Sequence, residues 1–226
     1  MFMPLNPKRP NRPIRYEPIF HIPTDIVRKL CQDADFIDCG VNTGQHVDYF
    51  LPHCKRYIAI DCDTRCALEL AQKYANNDKV VIVQACLNER TRIASLYLHR
   101  KHAVNFSSPS ALPNIMPKYY HIYTYTSTLN IILDYFNAKP GIIKVDVEGA
   151  EYIVLLGGMR YISAYHPLIM VEIHPSTSLA ELFDMLDSLG YEVVRKGASK
   201  WSANAHIVLA HNSIIDLFQG QPEPGS

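Results

Sequence analysis

The stretch Phe36-Ile37-Asp38-Cys39-Gly40-Val41-Asn42-Thr43-Gly44 decides how the chain is read. An apolar run ends in an acidic residue, two glycines follow, and a helix-compatible segment comes next. That is the pattern of a strand, a tight loop and a helix start. Glycine admits positive φ and lets a ligand approach the backbone closely. The helix N-terminus behind the loop offers free N–H groups to a carboxylate or phosphate. The spacing is Asp-x-Gly-x-x-x-Gly rather than Gly-x-Gly-x-x-Gly, so alone it is a weak signal. A second acidic strand end one βαβ unit later, Tyr57-Ile58-Ala59-Ile60-Asp61, strengthens it.

The alternation continues outward. Upstream, Thr24 is placed to cap a helix through Ile26, Val27 and Leu30. Downstream, Ala67, Leu70, Ala71 and Tyr74 carry a helical period that breaks at Asn76-Asn77-Asp78. Lys79 to Cys86 is β-branched and nearly continuous, as a buried parallel strand is, and Ile93 to Leu98 alternates like a more exposed strand. Ile142 to Val147 predicts a fourth buried strand, although it carries Lys144 and Asp146. Pro167 to Ile173 predicts a fifth, and Tyr191–Val194 and His206–Ala210 the last two. Helices are expected from Ser127, from Glu148 and after a Ser178-x-x-Glu181 capping box.

Strands alternating with helices, without an internal repeat, specify an α/β fold: one doubly wound, mostly parallel sheet. Ligands bind such sheets at the carboxyl ends of the strands, near the switch in strand order. Asp38, Asp61, Asp146 and Glu172 all fall at predicted carboxyl ends. A single buried acid there is readily a cap, whereas four on one rim read as a site.

Residues 1–20 are rich in Pro and Arg and read as an N-terminal arm, with the domain over 21–212 and a polar tail over 213–226. Within the domain, residues 99–126 break the rhythm with His99, His102, Pro109, Pro113, Pro117 and a run of tyrosines. The stretch is long for a plain connection and is expected to be a substrate loop or lid; a packed loop fits the same composition.

Composition narrows the function. With 226 residues the chain is long enough for a sizeable core. Lys plus Arg (22) equals Asp plus Glu (22), which argues against nucleic acid or an acidic membrane as a partner. No apolar run is long enough to span a bilayer, and the start lacks a signal peptide's apolar core. The six cysteines have no Cys-x-x-Cys spacing and read as free buried thiols in a reducing compartment, so a cytoplasmic location is expected. The sequence specifies no oligomeric state.

Asp61 is positioned to accept hydrogen bonds from a ribose diol; a helix cap before Thr64 is its structural alternative. No lysine follows the Gly40–Gly44 loop as a P-loop requires, so the expected ligand is a nucleoside without an essential triphosphate.

The Asp38–Gly44 stretch, with Ile143-Lys144-Val145-Asp146-Val147-Glu148-Gly149-Ala150-Glu151 further on, resembles the FkbM-type methyltransferases. Their pattern is Asp-x-Gly-Ala-Asn-x-Gly and, later, Lys-x-Asp-x-Glu-Gly-Ala-Glu. The Ser127-Thr128-Leu129 helix start and the Pro167…Glu172 strand also fall where that family has such segments, and the resemblance runs from Asp35 to Val194. Val41 and Cys39 depart mildly from the usual small residues. The resemblance implies an S-adenosyl-L-methionine-dependent methyltransferase with a single Rossmann-like, seven-stranded sheet, helices on both faces and an antiparallel last strand, His206–Ala210. It places Asp38, Gly40, Asn42 and Gly44 at the methionine moiety and Asp61 at the ribose. Ala85 and Cys86 fall near the adenine, and Asp146 beside the reaction centre. It suggests O-methylation of a small hydroxylated or carboxylated acceptor, such as a sugar or natural-product moiety.

An alcohol acceptor needs a base or a metal to take its proton. Candidates near the rim are Asp146, Glu148, Glu151, Glu172 and His174, with Asp146, Glu148, Glu172 and His174 taken as the catalytic set; Glu151, three residues beyond Glu148, shares its helical face. Asp146 and Glu172 are two potential ligands for a divalent ion, but spacing reveals no third, and no metal is assigned.

Two other readings compete. A nicotinamide-dependent reductase would want Gly-x-Gly-x-x-Gly, which is missing, or Tyr-x-x-x-Lys on a helix, which Tyr97…Lys101 and Tyr135…Lys139 match by spacing alone. A non-catalytic module that keeps the cofactor pocket is the other.

Overall fold

Eleven strands and seven helices follow in chain order among residues 22–99, 105–106, 119–198 and 205–219, the part of the chain that the computed structural model describes. The first half runs α1 (Thr24–Cys31), β1 (Asp35–Cys39), α2 (Val47–Phe50), β2 (Arg56–Asp61), α3 (Thr64–Lys73), β3 (Val80–Gln84), β4 (Cys86–Leu87), β5 (Ile93–His99) and β6 (Asn105–Phe106). The second runs β7 (Tyr119–Ser127), α4 (Leu129–Tyr135), β8 (Pro140–Val145), α5 (Glu151–Leu156), α6 (Met159–Tyr165), β9 (Leu168–Ile173), α7 (Leu179–Ser188), β10 (Tyr191–Ala198) and β11 (Ala205–His211).

The seven-stranded main sheet has the order β3-β2-β1-β8-β9-β11-β10. β1 pairs in parallel with β2 on one side and β8 on the other, and β11 is antiparallel to both β9 and β10. All five residues of β1 are buried, because both of its faces are covered. Alternate side chains go to opposite faces. Ile37, Cys39, Ile58 and Ile60 join one core with Leu133 of α4, Leu155 of α5, Ile162 of α6 and Leu182 of α7. Phe36, Tyr57 and Ala59 join the other with Val27 of α1, Phe50 of α2 and Leu70 of α3. On that side Phe36 stacks between Phe50 (4.3 Å) and Tyr57 (4.9 Å). The strand order reverses between β1 and β8, so the crevice above their carboxyl ends is where such a sheet accepts ligands.

A second, four-stranded sheet has the order β4-β7-β5-β6, and Ala85 alone separates β3 from its first strand. It alters the expectation for residues 99–126. Tyr119–Ser127 is a nine-residue strand, antiparallel to β5 from Ile93↔Tyr125 to His99↔Tyr119. Tyr and Thr are residues that suit a pleated, half-buried surface, and Tyr97 stacks on His121 at 4.6 Å across the pair. Most of the remaining stretch, like the Pro/Arg arm of residues 1–20, lies outside the described residues. Part of the stretch expected to be a tail from residue 213 is folded. Ile215–Phe218 forms a 3-10 turn, and Phe218 is buried in the second core with Ile214 and Leu217 against it.

Two caps differ from their sequence signatures. Ser178 precedes α7 but its side chain makes no capping bond, so the capping box does not form. α1 begins after Pro23, and the Thr24 hydroxyl meets the Tyr49 hydroxyl at 3.3 Å instead of capping.

Candidate active site

The loop after β1 is shaped by contact with the strand beside it. A Cβ on Gly40 (φ +82°) would sit 1.8 Å from the carbonyl oxygen of Asp146, so only glycine lets the two strand ends approach this closely. Gly40 N–H donates to the Ile60 carbonyl (2.9 Å), and Asp146 N–H to the Cys39 carbonyl (2.9 Å), which ties β1, β2 and β8 together at their carboxyl ends.

Above this junction lies a cavity of about 660 Å³, counted with the solvent-filled space at its mouth. Gly40, Asn42, Asp61, Ala85, Cys86, Asp146 and Glu148, seven of the residues singled out in the sequence, line it. Sequence reasoning missed the rest of the wall, including Ile60, Cys62, Leu87, Ala150 and Leu96 from β5. Leu96 enters through the second sheet, which no local motif announces.

Asp61 closes the β2 end of the cavity. Its Oδ2 accepts from Asn42 N–H (2.8 Å) and its Oδ1 from Asp63 N–H (2.8 Å). It does not cap the following helix: Asp63 does, accepting from Arg65 N–H at 2.9 Å. Burial pushes the Asp61 carboxyl up to about 6, against the pull of the two N–H donors.

Two expected cofactor residues lie outside the lining. Asp38 points into the sheet, fully buried, where it accepts from Tyr57 Oη (2.5 Å) and Lys144 Nζ (3.0 Å). The two charges that look out of place on a parallel strand are thereby explained: Lys144 bridges Asp38 and, at 3.5 Å, Asp146. Gly44 serves packing, since a Cβ there would lie 2.4 Å from Leu70 of α3.

At the β8 end the acids converge on a histidine. His174, just past β9, is buried, and its Nδ1 donates to Glu151 Oε1 at 2.8 Å. Its Nε2 lies 3.3 Å from Glu148 Oε2 and 3.8 Å from Asp146 Oδ1. Glu151, fully buried, also accepts from the Thr177 hydroxyl (2.5 Å) and Gly149 N–H (2.9 Å), and these partners with His174 hold its carboxyl below the usual range despite burial. Burial alone would lower the His174 imidazole; the Glu151 hydrogen bond and the nearby Glu148 and Asp146 outweigh it and leave it at about 9. Glu148, at φ +56°, is a left-handed non-glycine residue, and burial raises its carboxyl to about 7. Glu172 lies one strand further along, with Oε2 3.3 Å from His206 Nε2. Thus Asp146 and Glu148 face the cavity, and Glu172 and His174 stand behind them.

The donor set fits a nucleoside bearing a charged amino-acid tail. One end offers a carboxylate and an apolar slot (Ile60, Ala85, Leu87, Leu96), and the other offers acids. The profile of the methyltransferase FkbM domain matches residues 38–193. The chain belongs to the FkbM methyltransferase family. Membership in that family implies S-adenosyl-L-methionine as the methyl donor. No curated protein matches the chain. Among solved structures, it is similar to methyltransferase FkbM from Methylobacillus flagellatus KT at 18% identity and a TM-score of 0.54. The match covers 78% of this chain and 44% of that one, so the chain spans less than half the length of that protein. It is also similar to an rRNA methylase from Streptococcus thermophilus, at 10% identity and a TM-score of 0.50, covering 83% and 93% of the two chains. At these identities the likeness is one of fold: a Rossmann-like sheet of seven strands, mostly parallel, with helices on both faces.

Family membership displaces the nicotinamide-reductase reading, and the geometry agrees. Tyr97 belongs to β5, and Tyr135 ends α4 while Lys139 lies beyond the helix, so neither pair forms a helical Tyr-x-x-x-Lys. Among the described residues, no helix is long and apolar enough to cross a membrane.

Proposed function

We propose that this FkbM-family chain O-methylates a small hydroxylated or carboxylated acceptor, such as a sugar or natural-product moiety. The observation that carries the reading is the cavity itself, which runs from Asp61 to Asp146 and Glu148 across the reversal in strand order. S-adenosyl-L-methionine supplies an activated methyl group on a sulfonium, so the protein's work is to align donor and acceptor.

The Asp61 carboxylate takes the ribose hydroxyls, and Ala85 and Cys86 flank the base. The Gly40–Asn42 backbone and Asp146 lie along the methionine end. Glu148 reaches into the same space and takes the acceptor's proton as the new oxygen–carbon bond forms and the carbon–sulfur bond breaks. His174 sits against Glu148 and orients it. The six free cysteines fit a reducing, cytoplasmic setting.

The test is transfer of radiolabelled methyl from S-adenosylmethionine to panels of sugars, hydroxylated natural products and carboxylic acids, with RNA and peptides as controls. Label on the oxygen of a small acceptor supports the reading. Label confined to RNA, to peptides or to a nitrogen atom contradicts it.

A further inference from the structure

We propose that Asp146, Glu172 and His174 form a binding site for a divalent cation of the Mn2+ or Zn2+ type, beside the cofactor cavity. One carboxylate oxygen from each acid and one imidazole nitrogen lie within 4.8 Å of one another. Two carboxylates with one imidazole suit such an ion, and the residues come from the ends of two adjacent parallel strands, β8 and β9, whose pairing is fixed along Ile142–Val145.

The surroundings favour occupation. His174 is nine-tenths buried, and its Nδ1–H is committed to Glu151, which Thr177 and Gly149 hold in turn. Nε2 therefore faces carboxylate oxygens of Glu148 (3.3 Å) and Asp146 (3.8 Å), and a metal ion bound there takes the place of its proton. A carboxylate on the far nitrogen is the usual way a ligand histidine is oriented and made more basic. The acids also outnumber the basic groups: Asp38, Asp146, Glu148, Glu151 and Glu172 gather around Lys144, His174 and His206. Lys144 occupies the Oδ2 side of Asp146, which leaves Oδ1 facing His174.

Three protein ligands leave positions open on the ion for oxygens of a second molecule. Its use there, polarising an acceptor hydroxyl next to the methyl donor, rests on the transfer reading above; its existence does not.

Binding is therefore measured without any acceptor, by electron paramagnetic resonance titration of Mn2+ into the full chain in the presence of S-adenosylhomocysteine. One Mn2+ per chain is expected. Glu172→Gln and His174→Asn should each weaken it by more than tenfold, and Glu151→Gln, which among the three ligands touches only the histidine, by about 10–100-fold. Calorimetric binding of S-adenosylhomocysteine to each variant reports that its fold is intact. Absence of bound Mn2+ in the wild-type chain at millimolar metal, or binding that none of the three variants alters, overturns the proposal. An acceptor screen that fails while Mn2+ binds as described would sink the transfer reading and leave the cation site standing.

Discussion

Lys144 Nζ lies 3.0 Å from Asp38 Oδ1 between adjacent strands of the sheet, and both side chains are buried. Tyr57 Oη donates to the other Asp38 oxygen, so both carboxylate oxygens are engaged. Losing one member of a buried pair leaves a charge without compensation, whereas losing both removes the problem. Lys144→Met should therefore destabilise the protein by about 3–5 kcal/mol. The double variant Asp38→Asn/Lys144→Met should recover a large part of that loss. Denaturant unfolding of the three proteins checks it, and equal stability of single and double variants would show that the two charges are not coupled.

The Gly40 position predicts a backbone effect. In Gly40→Ala the added carbon meets the Asp146 carbonyl oxygen at 1.8 Å, and alanine would also be held at φ +82°. Left-handed backbone at a non-glycine residue costs about 1–2 kcal/mol before the clash is counted. Loss of S-adenosylhomocysteine binding together with a lower melting temperature is expected. Unchanged binding would mean that β1 and β8 can separate without harm to the cavity.

Asp61 should make cofactor affinity depend on pH. Its carboxyl is raised to about 6, and the ionised form is the better acceptor for ribose hydroxyls. Affinity for S-adenosylhomocysteine should be full above neutral pH and weaken as pH falls through about 6. Asp61→Asn should flatten that dependence. Stability of the free protein runs the other way. The folded state holds this proton more tightly than the unfolded chain, whose aspartates titrate near 3.9, so this group's contribution to stability falls as pH rises from about 4 to about 6. Calorimetry at several pH values reads the first trend and denaturant titration the second.

Cys86 should be the thiol that reports on the cavity. It lines the wall, and a hydrogen bond from Cys62 draws its thiol below the ordinary range, while Cys31 and Cys39 are raised by burial. Thiolate fraction and access govern alkylation. Iodoacetamide should label Cys86 ahead of Cys31 and Cys39, and S-adenosylhomocysteine should protect it. Peptide mapping after timed labelling distinguishes this from indifferent labelling.

The sheet was legible because buried parallel strands leave simple traces. β1, β2 and β8 read as apolar runs that end at an acid or just before one, and their neighbours follow from the alternation of periods. Asp61, Asp146 and Glu148 were found at those ends and do line the cavity. Asp38 has the same sequence context yet serves the interior, because Tyr57 and Lys144, which capture it, lie on other strands. Glu151 was expected as one of the acids near the rim, and it is instead fully buried outside the cavity lining. Its hold on His174 depends on how α5 packs beside β9, and this is not encoded in local spacing. The tyrosines of β7 read as a loop wall because their strand pairs with a distant one and exposes Tyr123 and Tyr125, which conceals the usual alternation of apolar and polar residues.

The most direct test of the cofactor site is calorimetric titration of S-adenosylhomocysteine into the wild-type chain and into Asp61→Ala. One molecule should bind per chain, and the substitution should weaken binding by about 1.5–3 kcal/mol, the loss of charge-assisted hydrogen bonds to the ribose. Absence of binding at millimolar ligand, or equal affinity in the two proteins, would contradict the assignment of this cavity.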